Sequence, residues 1–111
     1  MSKNRVIFEH MQEDICDILT FINEMPYSQF VNNVLVIKAV CMSLINIGEL
    51  TKSLPWEFKQ KHNEIPWKNI SGLRDIAAHK YHTINVDIIW QVVSHEILPL
   101  KTFIENFLEK K

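Results

Sequence analysis

Glycine and proline are scarce in this chain of 111 residues, which contains two glycines and four prolines. A fold with many strands needs more turn-forming residues than these, so the composition favours a helical domain. The length corresponds to a single domain spanning residues 1–111, large enough to bury a core yet small enough for dimerisation to add stability. The predicted fold class is therefore all-α.

An excess of charge of one sign is also missing. Lys and Arg number 12 and Asp and Glu number 13, which gives a net charge of −1 at pH 7. No global positive field therefore draws the chain to nucleic acid. Any contact with RNA must come from a local basic patch or from basic residues that two subunits combine.

Cysteine is limited to Cys16 and Cys41, both within apolar helical patterns. The two could form a disulfide, but we expect buried free thiols, because the N-terminal residues M-S-K-N-R-V-I-F-E-H show no secretory signal. No run approaches the roughly 18 apolar residues of a membrane span. These features predict a cytoplasmic protein with no membrane partner.

Apolar residues recur at steps of three and four, which predicts helices packed by one face. Ser28 is the expected N-cap of the second helix and Asn85 that of the last, in which Pro99 predicts a bend. A short additional helix follows Pro55, with Trp56 and Phe58 attaching it to the bundle. The four main helices are predicted at about residues 2–23, 29–53, 67–81 and 86–109. Short connections between them indicate an up-and-down four-helix bundle.

The second predicted helix is apolar over more than half of its circumference. A surface of this width packs against more than one neighbour, so we predict a homodimer. Ser43 and Asn46 are lone polar groups within this surface, followed by Gly48 and Glu49, and these four residues are predicted to form a solvated edge. Two adjoining apolar stripes form this surface: Phe30, Val34, Ile37, Cys41 and Leu44, and Val31, Leu35, Ala39 and Met42.

One stretch, S-G-L-R-D-I-A-A-H-K-Y-H at residues 71–82, concentrates groups that can bind phosphate or move a proton. Arg74 offers a fork suited to phosphate oxygens, and His79 titrates near neutrality. Asp75 lies four residues before His79 and can hold its imidazole in one tautomer. Tyr81 lies two turns beyond Arg74, on nearly the same side of a helix. Taken one by one, these residues also fit a solvated arginine, a helix-capping histidine and a half-buried tyrosine.

A metal site is the other chemistry that this stretch could support. Asp75, His79 and His82 form a D-x3-H-x2-H pattern that places three ligands on one helical face. Tight zinc sites gather ligands from more than one element, however, and no convincing fourth ligand is visible. We therefore predict no metal and no cofactor. The remaining histidines are predicted to lie on the surface: His10, His62 and His95.

The stretch R-D-I-A-A-H-K-Y supplies every defined position of the R-X4-H-X-Y motif, and it resembles the HEPN domains, specifically the HepT-like ribonuclease toxins. Further similar segments occur in the right order along the chain. Lys80 is a departure, because many relatives have glycine between the histidine and the tyrosine. The similar segments are N-x-G-E at 46–49, E-I-P-W-K-N-I-S-G-L-R at 64–74, I-I-W at 88–90 and L-P-L-K at 98–101.

The resemblance implies a metal-independent endoribonuclease with Arg74 and His79 as catalytic residues, supported by Asp75 and Lys80. Cleavage by the RNA 2′-hydroxyl needs both a base and an acid, and a two-fold dimer would supply two imidazoles to one site. The resemblance also implies an MNT-type nucleotidyltransferase antitoxin, which forms a larger hetero-oligomer with the toxin and transfers AMP to Tyr81. Two alternatives remain open: a non-catalytic helical subunit that completes the substrate pocket of a minimal nucleotidyltransferase, and a helical adaptor without a chemical site.

Overall fold

The computed structural model describes residues 3–78 and 84–110, and every regular element in these ranges is helical. A π-helical segment, Val92–Glu96, joins the last two α-helices. The α-helices are α1 (Lys3–Ile22), α2 (Tyr27–Phe30), α3 (Val34–Lys52), α4 (Trp56–Lys61), α5 (Trp67–Ser71), α6 (Leu73–Ala77), α7 (Val86–Gln91) and α8 (Ile97–Glu109).

The bundle is built around α3, which packs against α1, α5 and α6. The last helical rod, from α7 through the π-helical segment to α8, closes the bundle by packing α8 on α1. The all-α helical bundle predicted from the sequence is confirmed. The short helices α2 and α4 are additions to its main rods.

A cluster of packed aromatic rings attaches α4 and α5 to the rest of the bundle. Phe8 of α1 is completely buried at its centre. Its ring centroid lies 5.6 Å from that of Phe58 in α4, 6.3 Å from that of Trp67 in α5 and 4.8 Å from that of Phe107 in α8. Burial of aromatic rings of this size fixes α5 firmly. Because α6 follows α5 directly, the same cluster positions the helix that carries Arg74.

The prediction of a single helix at residues 29–53 is wrong in its first part. The structure divides this stretch into α2 and α3, and Asn33 rather than Ser28 caps the longer helix, its side chain accepting a hydrogen bond from the Val36 amide at 3.0 Å. Asn32 contributes to the break, because its side chain donates to the Ser28 carbonyl at 3.0 Å. Asparagine side chains compete with the backbone for such bonds, which favours turns over helix.

The third predicted helix, at residues 67–81, is also divided in the structure. Gly72 separates α5 from α6, although its own dihedral angles remain in the right-handed helical region. Helical hydrogen bonds continue across it, from the Gly72 amide to the Lys68 carbonyl at 3.0 Å and from the Asp75 amide to the Gly72 carbonyl at 3.1 Å. The predicted continuation to Tyr81 lies outside the described residues.

In the last helix, the predicted irregularity occurs earlier than Pro99. Pro99 lies in the first turn of α8, where its missing amide costs no hydrogen bond. The π-helical segment, with its wider turns, precedes Pro99 and includes His95. In an unbroken α-helix the His95 carbonyl would accept a hydrogen bond from the amide of residue 99, which proline lacks. Asn85 is confirmed as the N-cap of α7, since it accepts a hydrogen bond from the Ile88 amide at 3.2 Å.

Several side chains lie in environments that the sequence did not predict. Trp56 is 69% exposed, whereas Phe58 packs against Phe8 of the core. Cys16 is exposed and only Cys41 is buried, both as free thiols. His62 is partly buried, with its ring centroid 4.5 Å from that of Phe58. Helical periodicity assigns a face to each of these residues but does not say which faces neighbouring helices cover.

The central helix α3 is long and apolar enough to cross a membrane by length and composition alone, with a mean hydropathy of 1.7. The helix contains no long uninterrupted apolar run, because Lys38, Ser43 and Asn46 interrupt it, and only the average over its length is strongly apolar. In the structure α3 packs against α1, α5 and α6, with Ile37, Val40, Leu44 and Ile47 completely buried. The core helix of a soluble protein satisfies the same criterion.

Candidate active site

Arg74 presents its guanidinium at the surface of α6, between two carboxylates. Its Nε lies 3.0 Å from Oε1 of Glu49 in α3, and its Nη1 lies 3.3 Å from Oδ1 of the adjacent Asp75. The Arg74 side chain is 45% exposed. It is therefore held in one direction while remaining accessible to a ligand. A guanidinium oriented in this way is suited to bind the oxygens of a phosphate.

Close packing of α3 on α6 produces this arrangement. A Cβ atom added to the buried Gly48 would lie 2.7 Å from the backbone nitrogen of Arg74 and 2.9 Å from the carbonyl oxygen of Ser71. Both distances are shorter than heavy atoms tolerate, so only glycine permits the two helices to approach this closely. Glu49 follows directly on α3, and the close approach brings its carboxylate to Arg74.

Gly48 is buried, so its prediction as part of a solvated edge is wrong, whereas Glu49 is half-exposed at this edge and pairs with Arg74. Asn46 also has a specific partner, because its Nδ2 donates to Oδ1 of Asp14 in α1 at 3.3 Å. Ser43 is buried. In the sequence, the segment N-x-G-E at 46–49 is the feature that indicates this role of Gly48 and Glu49, because it places a glycine and a carboxylate near the end of a largely apolar helix.

A groove with several carboxylates lies on the α1 side of Glu49 and has a volume of about 430 Å³. Glu13, Asp14 and Asp17 line it together with Glu49. The pKa of the Asp14 carboxyl is raised, chiefly by partial burial and also by Asp17 and Glu13, while the hydrogen bond from Asn46 and the nearby His10 act to lower it. The carboxylates of this surface disfavour the binding of a phosphate group in the groove.

The other residues of the predicted site are only partly described. Asp75 is exposed and its described contact is the one with Arg74, whereas His79, Lys80, Tyr81 and His82 lie outside the described residues. The predicted contact between Asp75 and His79 therefore stays a prediction. Within residues 3–78 and 84–110, no group of three or more His, Cys, Asp or Glu side chains is arranged to hold a metal ion.

Comparison with known proteins identifies the family of this chain. Residues 11–107 match the HepT-like family, described as "Ribonuclease HepT-like". The chain belongs to the HepT-like ribonuclease family. The matched region contains Glu49, Gly48 and Arg74, so the arrangement described above lies within the family domain. Membership of this family places the chain among the RNA endonucleases.

Individual relatives agree with this assignment. The chain is 33% identical over 111 residues to "Putative RNase TTE0752" of Caldanaerobacter subterraneus subsp. tengcongensis, covering 100% of this chain and 99% of that protein. It is 38% identical over 93 residues to "Putative RNase MJ0127" of Methanocaldococcus jannaschii, covering 84% and 77% of the two chains. It is 34% identical over 93 residues to "Probable ribonuclease HepT" of Thermococcus cleftensis, covering 84% of each. No solved structure matches the chain significantly.

Proposed function

We propose that this HepT-like ribonuclease is the toxin of a HEPN/MNT toxin–antitoxin pair, a metal-independent endoribonuclease that cleaves RNA at a dimer-interface R-X4-H-X-Y site in the cytoplasm. The observation that supports this most strongly is the exposed Arg74 guanidinium, which Glu49 and Asp75 hold at the first position of the motif. A fixed cation at the surface is what stabilisation of a phosphorane requires.

The proposed reaction is attack of the RNA 2′-oxygen on the adjacent phosphorus. The His79 imidazole takes the 2′-hydroxyl proton, and the new O–P bond closes a 2′,3′-cyclic phosphate. The bond to the 5′-oxygen breaks, and a protonated imidazole, from the second subunit, donates a proton to that leaving oxygen. Arg74 binds the charged phosphorane oxygens between the two steps, and Lys80 adds a further cation near the phosphate.

The exposed face of α3 supports assembly of two copies around this site. Leu35, Met42 and Glu49 recur at intervals of seven residues, which places them along one side of the helix. Leu35 is 80% exposed and Met42 is 60% exposed. We infer that this stripe forms the homodimer interface. The same stripe ends at Glu49, the partner of Arg74, so a two-fold contact through it would bring two Arg74 side chains to one seam.

The proposed antitoxin is a nucleotidyltransferase of the MNT type that transfers AMP to Tyr81. Tyr81 follows Arg74 by seven residues in the sequence. An attached AMP carries a phosphate that can pair with the Arg74 guanidinium, and it would then occupy the position of the RNA phosphate. In this scheme toxin and antitoxin form a hetero-oligomer, and the modification inactivates the nuclease without unfolding it.

The test is cleavage of RNA by the purified protein in EDTA. We expect products with 2′,3′-cyclic phosphate ends, and a decrease of about a hundredfold or more in kcat for His79→Ala and for Arg74→Ala. His95→Ala is the matched control. His95 is exposed on the last rod, so this variant should cleave RNA normally. Loss of wild-type activity in EDTA with recovery on adding zinc or magnesium would contradict the metal-free mechanism.

A further inference from the structure

A second groove, with a volume of about 580 Å³, lies between α4 and α5. Its polar and aromatic lining differs from that of the groove beside α1, because all the ionisable side chains that line it are basic. The residues that give it this character are Trp56, Lys59, Gln60, Asn63, Lys68 and Ser71. Two ammonium groups, two side-chain amides and an indole therefore surround one open space.

Trp56 is the most exposed of the three tryptophans. Its side chain is 69% exposed, whereas Trp67 is buried and Trp90 packs against Phe30 with ring centroids 5.0 Å apart. A single exposed apolar residue is ordinary in itself. Here, however, the indole is at the start of α4 and lines a groove that also contains Lys59 and Lys68. An exposed aromatic face beside cations is the combination by which proteins bind single-stranded nucleic acid.

The groove and Arg74 belong to consecutive helical segments. Ser71, which lines the groove, is the last residue of α5, and Arg74 lies three residues further along the chain. Helical hydrogen bonds continue through Gly72, so Lys68 and Arg74 are separated by about 9 Å along the helical rise. The carboxylates in the groove beside α1 disfavour phosphate there, whereas the ionisable side chains that line the groove between α4 and α5 are basic. A strand bound in this basic groove can therefore extend along α5 and α6 to Arg74.

We propose that this groove is a substrate subsite for single-stranded RNA, in which an unpaired base stacks on Trp56 while Lys59 and Lys68 bind backbone phosphates. The inference rests on the proposed function, since it supplies the substrate of the Arg74 site. A duplex keeps its base faces stacked inside, so only an unpaired base can lie against an exposed indole. The amides of Gln60 and Asn63 are placed to bond base edges without requiring one sequence.

The experiment measures binding separately from cleavage. The probe is a short single-stranded 2′-O-methyl uridine oligonucleotide, which lacks the attacking hydroxyl, and its dissociation constant is measured by fluorescence anisotropy at several salt concentrations. We expect Trp56→Ala to weaken binding about 5- to 150-fold, while Trp56→Phe retains most of the affinity. Lys59→Gln with Lys68→Gln should reduce the slope of log K against log salt by about 1.4, at 0.7 for each lost phosphate contact.

Lys61→Gln is the matched control, because Lys61 lies on α4, is exposed and does not line the groove. Unchanged affinity in Trp56→Ala together with an unchanged salt slope in the double lysine variant would overturn the proposal. So would groove variants that bind RNA normally but lose self-association, since the surface would then be a protein contact. Wild-type protein that binds the probe through Trp56 yet cleaves no RNA would support the subsite and contradict the nuclease mechanism instead.

Discussion

Gly48 of α3 lies directly against the backbone of Arg74, so that a Cβ atom on Gly48 would be 2.7 Å from the Arg74 nitrogen and 2.8 Å from the Arg74 Cβ. The two residues are 26 positions apart in the sequence. Their contact determines how closely α3 and α6 approach, and with it the distance between Glu49 and Arg74. The candidate active site therefore depends on a position that carries no functional group.

Gly48→Ala should destabilise the protein and weaken RNA cleavage together. Alanine is the better helix former by about 1 kcal/mol, but overpacking against the backbone costs more, typically about 1–3 kcal/mol. We expect a net loss of up to about 2 kcal/mol in the free energy of unfolding, measured by urea denaturation. Displacement of Arg74 from Glu49 should also lower kcat in the fraction that remains folded.

Gly72→Ala is the control for this change. Its added Cβ would lie 3.4 Å from the nearest atoms, and its φ of −70° suits any residue. We expect no loss of stability and a gain of about 0.4–1 kcal/mol from the reduced freedom of the unfolded chain. Equal effects of the two substitutions would refute the close-approach role of Gly48.

The sequence predicts the all-α fold, the main apolar rows and the N-cap at Asn85, because these features follow from local periodicity and local hydrogen bonds. It does not predict the break before Val34, where Asn33 takes over as the cap, or the division at Gly72. The pairing of Glu49 with Arg74 also escapes prediction, since it requires knowing which helices meet and how closely. The exposure of Trp56 escapes prediction for a similar reason: two aromatic residues close together in the sequence do not themselves show which of them faces inward.

The exposed stripe of α3 leads to a prediction about assembly. Leu35→Glu combined with Met42→Glu should convert a dimer near twice 13.1 kDa into a monomer, as measured by sedimentation at micromolar concentration. Charge at these positions costs the monomer little because both side chains are exposed. Cleavage should be lost with the dimer if two subunits complete the site.

Leu98→Glu, at a 43% exposed position of α8, is the control and should remain dimeric and active. A monomeric double variant that still cleaves RNA would rule out the composite site.

The two cysteines should differ in reactivity. Burial raises the pKa of the Cys41 thiol to about 11, so about one molecule in a thousand carries the thiolate there at pH 8. Cys16 is exposed. Iodoacetamide at pH 8 should therefore alkylate Cys16 and leave Cys41 unmodified until urea unfolds the chain, as mass spectrometry of the peptides would show. Equal labelling of both thiols in the folded protein would contradict the position of Cys41 in the core.

Modification of Tyr81 is expected to silence the nuclease through occupancy of the site. Incubation with the cognate nucleotidyltransferase, ATP and magnesium should add the mass of one AMP group, or a multiple of it, to each chain. Peptide mapping should place the addition on Tyr81, and Tyr81→Phe should remain unmodified and active.

The physical reason for this outcome lies in Arg74. Its guanidinium is exposed and is held by Glu49 and Asp75, so a tethered phosphate can pair with it without any rearrangement of the helices. The melting temperature of the modified protein should consequently stay at or above that of the unmodified one, while RNA competes poorly for the occupied site. AMP found only at another residue, or enzymatic silencing of Tyr81→Phe, would disprove this switch. Inhibition without any change in mass would show instead that the antitoxin covers Arg74 by binding, which would leave the nuclease assignment intact.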